Sequence, residues 1–460
     1  MKAVVDMVII GAGMAGLCAS VEAAAAGANV IVLEKQPNIG GSSLLSGCFM
    51  AFAGTELQEK LGITDSVESL IQDMLHVGQY KNDRALIETY GHHQLDTYNW
   101  LVEQGVQFKD CQAVSGHTNP RGHTITPHQA MDILKKRAIE HGATIYTDAL
   151  VTRLEKINER VARVYVTYEG HSFVVEARKG IIITSGGFSR SEELLEQFAP
   201  GLTNTIRLGG AGNIGDGIRL ACDQGAWLRD TPYLKGTYGF HPSSTNDNKR
   251  QAHTFYKGGI IVNEQGDRFV NESISYKLLG DAALQQSNQC TFQIWDQTVM
   301  DKGVKGDALY DFASLYEIGL IEQAESIEAL AMIIGVPPIS LQQTVSDYNN
   351  AIDTSNDKLG RTTLSHTFGN LTKIRTAPFY AMRTSTAMLA TYAGVTVNEK
   401  AEVLNPYSES IPGLFAAGEV VGGFHGAGYM TGSSLGKAAI FGRIAAKQVI
   451  QQSYTEEALV

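Results

Sequence analysis

Three glycines in the run Gly11-Ala-Gly13-Met-Ala-Gly16, with the acid Glu34 lying 23 residues beyond the first, have the types and spacing that suit a dinucleotide. The first glycine permits a tight turn, the second lets backbone approach a pyrophosphate, and the third lets helix pack closely on strand. A pyrophosphate would rest on the N-terminus of that helix, and the Glu34 carboxylate would accept from ribose hydroxyls. Such a Gly turn also occurs in α/β proteins that bind no nucleotide, but the strand before it, the helix after it and the acid at the right distance favour the dinucleotide. Lys35 and the loop Gly40-Gly41-Ser42-Ser43 follow, too early for a second Rossmann turn yet placed to supply N–H groups and hydroxyls. That loop is assigned to the flavin side of a bound FAD rather than to NAD.

A βαβ unit must position these residues. Residues 7–10 read as a β-branched strand, the Ala-rich stretch to about Ala26 as a helix stopped by Gly27, and 29–33 as the second strand. Residues 56–107 carry helical polar faces, and 129–141 make a further helix. A strand pair is expected at 144–154 and 161–176. The apolar run 181–183 reads as a buried strand that delivers Ser185 and Gly186 to the carboxyl edge of the sheet. A third Gly cluster, 208–217, opens a helix over 218–224. From about Tyr233 to Thr384 the pattern changes to hairpin-like strands around 254–271 and helices near 278–287 and 308–352, with no Rossmann turn. Within it, 326–334 turns Ile327, Leu330, Ala331 and Ile334 onto one core-facing stripe. The dinucleotide pattern resumes at 386, and 411–419 is a strand ending on a Gly–acid turn.

At 460 residues, with 43% apolar and 18% charged residues, the chain is globular and long enough for two or three domains. A net charge of -11 without a basic tract argues against a nucleic-acid partner. The five cysteines, Cys18, Cys48, Cys111, Cys222 and Cys290, are odd in number and form no C-x-x-C, haem or zinc pattern, so no metal is expected and a reduced, cytoplasmic setting fits. The apolar stretch 7–33 is interrupted by Glu22 and Asn29 and has no basic flank, so neither a targeting segment nor a membrane span is read there. Residues 56–60 and the tail pair Glu456-Glu457 read as solvated charges.

Together these motifs resemble the FAD-dependent fumarate reductase and 3-ketosteroid dehydrogenase superfamily over nearly the whole chain. The stretch 260–272, ending Arg268-Phe-Val-Asn-Glu272, is similar to the family's cap-domain motif, and IPGLFAAGEVVGG followed by 433–443 is similar to its C-terminal flavin motif. The resemblance implies an α/β fold with an α+β cap: a Rossmann-like FAD domain, 1–235 and 386–460, interrupted by a mobile cap, 236–385. It also implies a cofactor set of Gly11, Gly13, Ala15, Gly16, Glu34, Lys35, Gly41, Ser42, Ser43, Gly47, Val151, Ser185, Gly186, Asp216, Gly418, Glu419, Ser434 and Leu435. The loop Ser42-Ser43-Leu44-Leu45-Ser46 lacks the histidine through which some members attach FAD, so a non-covalent cofactor is expected.

Departures from the family pattern shape the expected chemistry. Fumarate reductases anchor two carboxylates with Arg and His and donate a proton from a cap Arg. The matching residue here, four beyond Glu272, is Tyr276; the second anchoring Arg, in the family's H-G-A-N-R segment, falls on Tyr429; and the family's paired His falls on Leu389 and Ala390. Losing two guanidinium groups loses charge-assisted carboxylate recognition, about 1.5–3 kcal/mol per bond. Ketosteroid dehydrogenases have Tyr at both places. Tyr429-Met-Thr431-Gly-Ser433-Ser434 resembles the Tyr-x-Ser pattern of the 3-ketosteroid Δ4-(5α)-dehydrogenases, with Thr431 in place of Ser. The implied reaction is α,β-desaturation of a cyclic 3-ketone, or its reverse. Tyr429 polarises the ketone oxygen, and Tyr276, relayed through Thr431, moves the α-proton. His241, Arg121, His425 and Ser433 are candidate substrate contacts, with His117 to His123 as a candidate substrate wall. The same residues leave open a carboxylate reductase in which His241, Arg121 and Arg383 hold a carboxylate, and a flavin-binding protein without catalysis. Expected partners are a small cyclic ketone or enone and an electron donor or acceptor.

Overall fold

The computed structural model describes residues 4–365 and 369–452, so Glu456 and Glu457 lie outside the described residues. The chain divides into two compact units, one of residues 1–200, 209–234 and 390–460, the other of 201–208 and 235–389.

The first unit is built on an eight-stranded sheet. Val4–Ile10 lies at its middle, parallel to Val30–Leu33 on one side and to His171–Ile183 on the other. Thr144–Tyr146 extends the sheet beyond Val30–Leu33, and Ser410–Ala416 adds in parallel to His171–Ile183. The central strands are apolar on both faces, as a parallel sheet covered on both sides requires. Two helices, Met14–Ala25 and Ser433–Gln451, pack together through small residues.

The stretch expected as a strand pair at 144–154 and 161–176 is four strands. Thr144–Tyr146 joins the parallel sheet, whereas Leu150–Ile157, Arg160–Tyr168 and His171–Ile183 form an antiparallel meander turning at Asn158-Glu159 and Glu169-Gly170, all four with positive φ. The chain leaves the parallel layer at Asp148, also at positive φ.

The second unit is organised by one ten-residue strand, Phe379–Met388. It pairs with Ile206–Arg207 in parallel and with Thr237–Phe240, Thr291–Asp296 and Glu322–Ala324 antiparallel. This strand explains two differences from the expected boundaries: 201–208 and 386–389 belong to the second unit because their pairing partners do. The expected hairpin around 254–271 contains one strand, Ile260–Asn263, and its partner is Thr291–Asp296. The expected 308–352 helical region is three helices, Phe312–Glu317, Ile327–Ile334 and Pro338–Thr354, broken at Gly319 and Gly335, with the strand Glu322–Ala324 between the first two. Leu330 and Ala331 are buried in the core, and Ile327 and Ile334 pack against it.

The Arg268 to Glu272 motif is held by a buried charge cluster. Glu272 accepts from Arg268 Nε at 2.8 Å and Nη2 at 2.6 Å, from the Ile261 N–H at 3.1 Å, and lies 3.4 Å from Arg361. Asp357 balances the second positive charge. Removing the carboxylate leaves two buried guanidinium groups against the single Asp357 carboxylate, so Glu272→Ala is expected to cost about 3–5 kcal/mol of unfolding free energy in chemical denaturation. Glu328→Ala, at an exposed helix position of the same unit, should stay within about 0.5 kcal/mol.

Candidate functional site

The glycine turn builds a cradle of backbone. Gly11 has φ +109, and a Cβ there would stand 2.5 Å from the Thr184 carbonyl oxygen. A Cβ on Gly16 would collide with the Gly11 carbonyl, so the third glycine lets helix meet strand as expected. Gly13 is different. Its φ is -81, and a Cβ would make ordinary contacts with Ser43 Oγ at 3.4 Å and the Gly40 carbonyl oxygen at 3.7 Å, so a methyl group fits there. Ser43 Oγ accepts from the Met14 N–H at 3.0 Å; the remaining first-turn N–H groups have no intrahelical acceptor, and no acid stands in that turn.

Glu34 is buried at the end of its strand, one oxygen accepting from the Ala12 N–H at 2.9 Å and the other from the Gln36 N–H at 2.8 Å. Each carboxylate oxygen keeps a further lone pair for a ribose hydroxyl. Val151 opens the Leu150–Ile157 strand just after Ala149, whose N–H donates to the Glu34 carbonyl. Lys35 is salt-bridged to Asp216, which joins two candidate residues to each other. Gly47 has open space where a Cβ would stand.

A second node links four stretches of chain. Asn213 Nδ2 donates to Ser42 Oγ and to Glu419 Oε2, both at 2.9 Å, and the Thr391 N–H donates to Glu419 Oε1 at 2.9 Å. Gly186, at φ +77, could not carry a Cβ beside Asn213 Oδ1, and Gly418, at φ +84, comes within 3.1 Å of Ala15 at its Cβ position. Burial pushes the Glu419 carboxyl up, against the pull of these hydrogen bonds and of Lys437. Lys437 is itself buried one turn into the C-terminal helix, donating to the Val421 carbonyl at 3.1 Å. Burial pulls its ammonium down to about 8, opposed by Glu419 and Asp230.

The Tyr429 loop enters the same helix. The Tyr429 ring stacks on Tyr392 at 5.7 Å and 6° and lies 5.4 Å from His425, whose Nε2 is 3.3 Å from Ser434 Oγ. Burial raises the Tyr429 phenol, with hydrogen bonds at Gly432 and Ser434 opposing. It therefore stays protonated near neutral pH and is a hydrogen-bond donor. Leu435 is buried in the helix's first turn. Ser433 Oγ donates its hydrogen to the Met430 carbonyl at 2.7 Å, which leaves the hydroxyl only its acceptor lone pairs.

Arg121 is corrected most firmly. It is wholly buried, and its guanidinium is consumed by Asp65 through Nε and Nη2, both at 2.6 Å, by Ser69 at 2.7 Å, and by Asp73. Burial pushes the Asp65 carboxyl up, but the hydrogen bonds from Arg121, Asn119 and Gln58 hold it below its usual range. A guanidinium so paired is not available to a substrate carboxylate.

In the second unit, Tyr276 opens the helix Tyr276–Leu284, capped by Ser275, and its ring packs 5.4 Å from buried His253. The Lys277 ammonium lies 5.8 Å from the Tyr276 ring. The loop before it is pinned where Tyr256 Oη donates to the Ile274 carbonyl at 2.7 Å. His241 Nδ1 is 2.7 Å from Ser243 Oγ, and burial with Arg250 and Arg383 nearby lowers its pKa. Composition and spacing single out neither Asn213 nor Thr391 nor Lys437. Asn213 lies inside a recognised Gly cluster, and that placement is the one signal it carries.

The cradle fits FAD on its own atoms: Ser185 Oγ is buried without a protein partner, Gly13 puts no side chain beside the helix N-terminus, and that terminus is free of acid. No group of three or more metal-ligating side chains occurs among the described residues, and no helix there is long and apolar enough to cross a membrane. Fold and site define a mixed α/β dinucleotide-binding flavoprotein.

The family model described as an FAD binding domain matches residues 6–435, and the chain belongs to that family. A probable fumarate reductase of Shewanella frigidimarina is 30% identical over 96% of this chain and 74% of its own length. The vinyl phenol reductase of Lactiplantibacillus plantarum is 27% identical over 98% and 97%. Among solved structures, a flavocytochrome c3 fumarate reductase in an open conformation matches with a TM-score of 0.81 at 28% identity, covering 97% of this chain and 78% of that one. The 3-ketosteroid Δ4-(5α)-dehydrogenase of Rhodococcus jostii RHA1, in complex with 4-androstene-3,17-dione, matches at 0.79 and 27%, covering 98% of each. The protein is a flavin-dependent oxidoreductase of the fumarate reductase and ketosteroid dehydrogenase superfamily.

Two expectations follow. Gly13→Ala has room for its methyl group and an allowed φ, so the apoprotein should unfold within about 1 kcal/mol of wild type, while FAD titration should give at least a tenfold weaker Kd. The second concerns pH. Burial pulls His117 down to about 4, partly offset by its bond to Thr431, and pulls His253 down to about 3. Both fold as neutral rings, so the stability they contribute is full above the ordinary histidine range and is lost as pH falls through it. Between pH 6.5 and pH 5 the unfolding constant should rise roughly tenfold per histidine, and His117→Gln and His253→Gln should each flatten that slope in denaturant titrations.

Proposed function

We propose that this protein desaturates the α,β bond of a saturated cyclic, steroid-like 3-ketone, or reduces the corresponding enone. The observation that carries the reading is Tyr429. A phenol stands where the carboxylate-reducing relatives' motif has a guanidinium, inside a ring cluster of Tyr392 and His425, and burial keeps it protonated. A neutral donor suits a ketone oxygen that gains negative charge as its α-proton leaves. Of the two guanidinium groups that a carboxylate reading would call on, Arg121 and Arg383, the first is already paired.

Bound FAD, held without a covalent bond, supplies the two-electron hydride chemistry. The chain supplies the acid–base half. Tyr429 Oη donates to the ketone oxygen, with the Thr431 hydroxyl two residues on. Tyr276 takes the α-proton in desaturation and returns it in reduction. Tyr276 is the first residue of its helix, and the Lys277 ammonium stands 5.8 Å from its ring. His425 orients the Tyr429 side of the site and His241 stands as a substrate contact. The five cysteines, none in a disulfide, fit a cytoplasmic setting.

Under anaerobic conditions a saturated 3-oxosteroid or cyclohexanone should bleach the flavin absorbance, and succinate should not. Tyr276→Phe and Tyr429→Phe should each lower kcat by roughly 10²–10⁴-fold, and together abolish turnover with FAD content unchanged. Normal turnover in the double variant overturns the assignment. Bleaching by succinate, or reoxidation of the reduced protein by fumarate and not by an enone, replaces it with a carboxylate reductase.

A further inference from the structure

We propose that His117 is a positioning residue that fixes the Tyr429 to Thr431 segment by donating a hydrogen bond to the Thr431 carbonyl. This rests on the reading that Tyr429 meets the ketone oxygen.

His117 Nε2 is 2.7 Å from the Thr431 carbonyl oxygen. A carbonyl can only accept, so Nε2 carries the hydrogen. The Thr431 N–H returns a bond of 3.1 Å to the Ser115 carbonyl. Both backbone polar groups of Thr431 are thus tied to one short stretch, 115–117. Gly116, between them, has φ +91, and a Cβ there would come 3.2 Å from Met430 Cγ and 3.3 Å from Met430 Cα, so the two loops meet backbone to backbone.

The stretch is anchored from behind. Thr118 donates both its N–H and its hydroxyl to Asp73 Oδ2 at 2.8 Å, and Asp73 on the Val67–Val77 helix pairs with Arg121, which also holds Asp65 and Ser69. The run from His117 to His123, first read as a substrate wall, therefore reaches from a buried ion cluster to the backbone of the tyrosine loop. Its two histidines differ. His123 spends both ring nitrogens, Nδ1 on the Arg121 carbonyl at 2.9 Å and Nε2 on Thr55 Oγ1 at 2.7 Å. His117 Nδ1 is buried with no protein partner, so the bond to Thr431 is the one polar contact its ring makes among the described residues. A ring committed to one bond on a catalytic loop sets that loop's position, and errors of about 1 Å there cost on the order of 10²-fold in rate.

The test uses the FAD-loaded protein and His117→Leu, which removes the donor, with His117→Gln, whose Nε2–H restores it. Two quantities are read: the Kd of cyclohex-2-enone, from the perturbation of oxidised flavin absorbance, and kcat. His117→Leu should weaken the Kd and lower kcat by roughly tenfold or more each with FAD affinity unchanged, and His117→Gln should recover most of both. In the Tyr429→Phe background, His117→Leu should not weaken enone binding further. An unchanged Kd and kcat in His117→Leu, or an equal loss with and without Tyr429, overturns the proposal while leaving the role of Tyr429 intact. Wild-type binding and turnover in Tyr429→Phe alone overturns the underlying reading instead. If the leucine variant does not fold, His117→Asn, too short to reach the carbonyl, takes its place with the same outcomes.

Discussion

At its N-terminal turn the Met14–Ala25 helix meets its neighbours with no more than a methyl group between them, and the cofactor side of the first unit depends on that closeness. Gly16 admits the Gly11 carbonyl, Gly442 of the C-terminal helix admits the Ala15 carbonyl, and Gly418 comes against the Ala15 methyl group. Three stretches far apart in sequence are thereby drawn to one helix N-terminus. The polar groups follow: Ser43 reaches the Met14 N–H, Glu34 the Ala12 N–H, and Asn213 spans Ser42 and Glu419. Close backbone packing fixes distances that longer side chains would leave adjustable.

Charge is buried by two different means. Arg268, Glu272, Arg361 and Asp357 in the second unit, like Arg121 with Asp65 and Asp73 in the first, set positive against negative charges at contact distance. Glu419 and Lys437 of the first unit are held mainly by backbone and amide groups, and burial moves each toward its neutral form. The first arrangement is a fastening. The second leaves titratable groups beside the flavin motif, where a change in local charge acts on the redox chemistry of a bound cofactor.

The glycine turn, its acid, the flanking strands and the C-terminal flavin motif were legible in the sequence because their constraints are local: a positive φ, a close approach and a fixed spacing each leave a residue type behind. Arg121 was not, because its partners Asp65 and Asp73 lie 56 and 48 residues away and an arginine beside histidines reads equally as a ligand or a fastening. The hairpin expected around 254–271 is reduced to an isolated bridge between Val262 and Arg268, because the ladder of Ile260–Asn263 went to Thr291–Asp296. Tyr276 and Tyr429 were singled out through motif register alone; composition offers 18 tyrosines with nothing to separate them. His117 was seen as part of a wall, and its bond to Thr431 spans 314 residues, beyond any sequence pattern.

The strand Phe379–Met388 carries a consequence for how the chain comes off the ribosome. Its partners begin at Ile206, yet until residue 388 has been made they have no common strand to pair with. The first unit waits longer still, because Ser410–Ala416 and the helix Ser433–Gln451 close it last. An exposed half-sheet therefore persists until Ser433–Gln451 has been made, and its unpaired strand edges stay open to wrong pairing for that time.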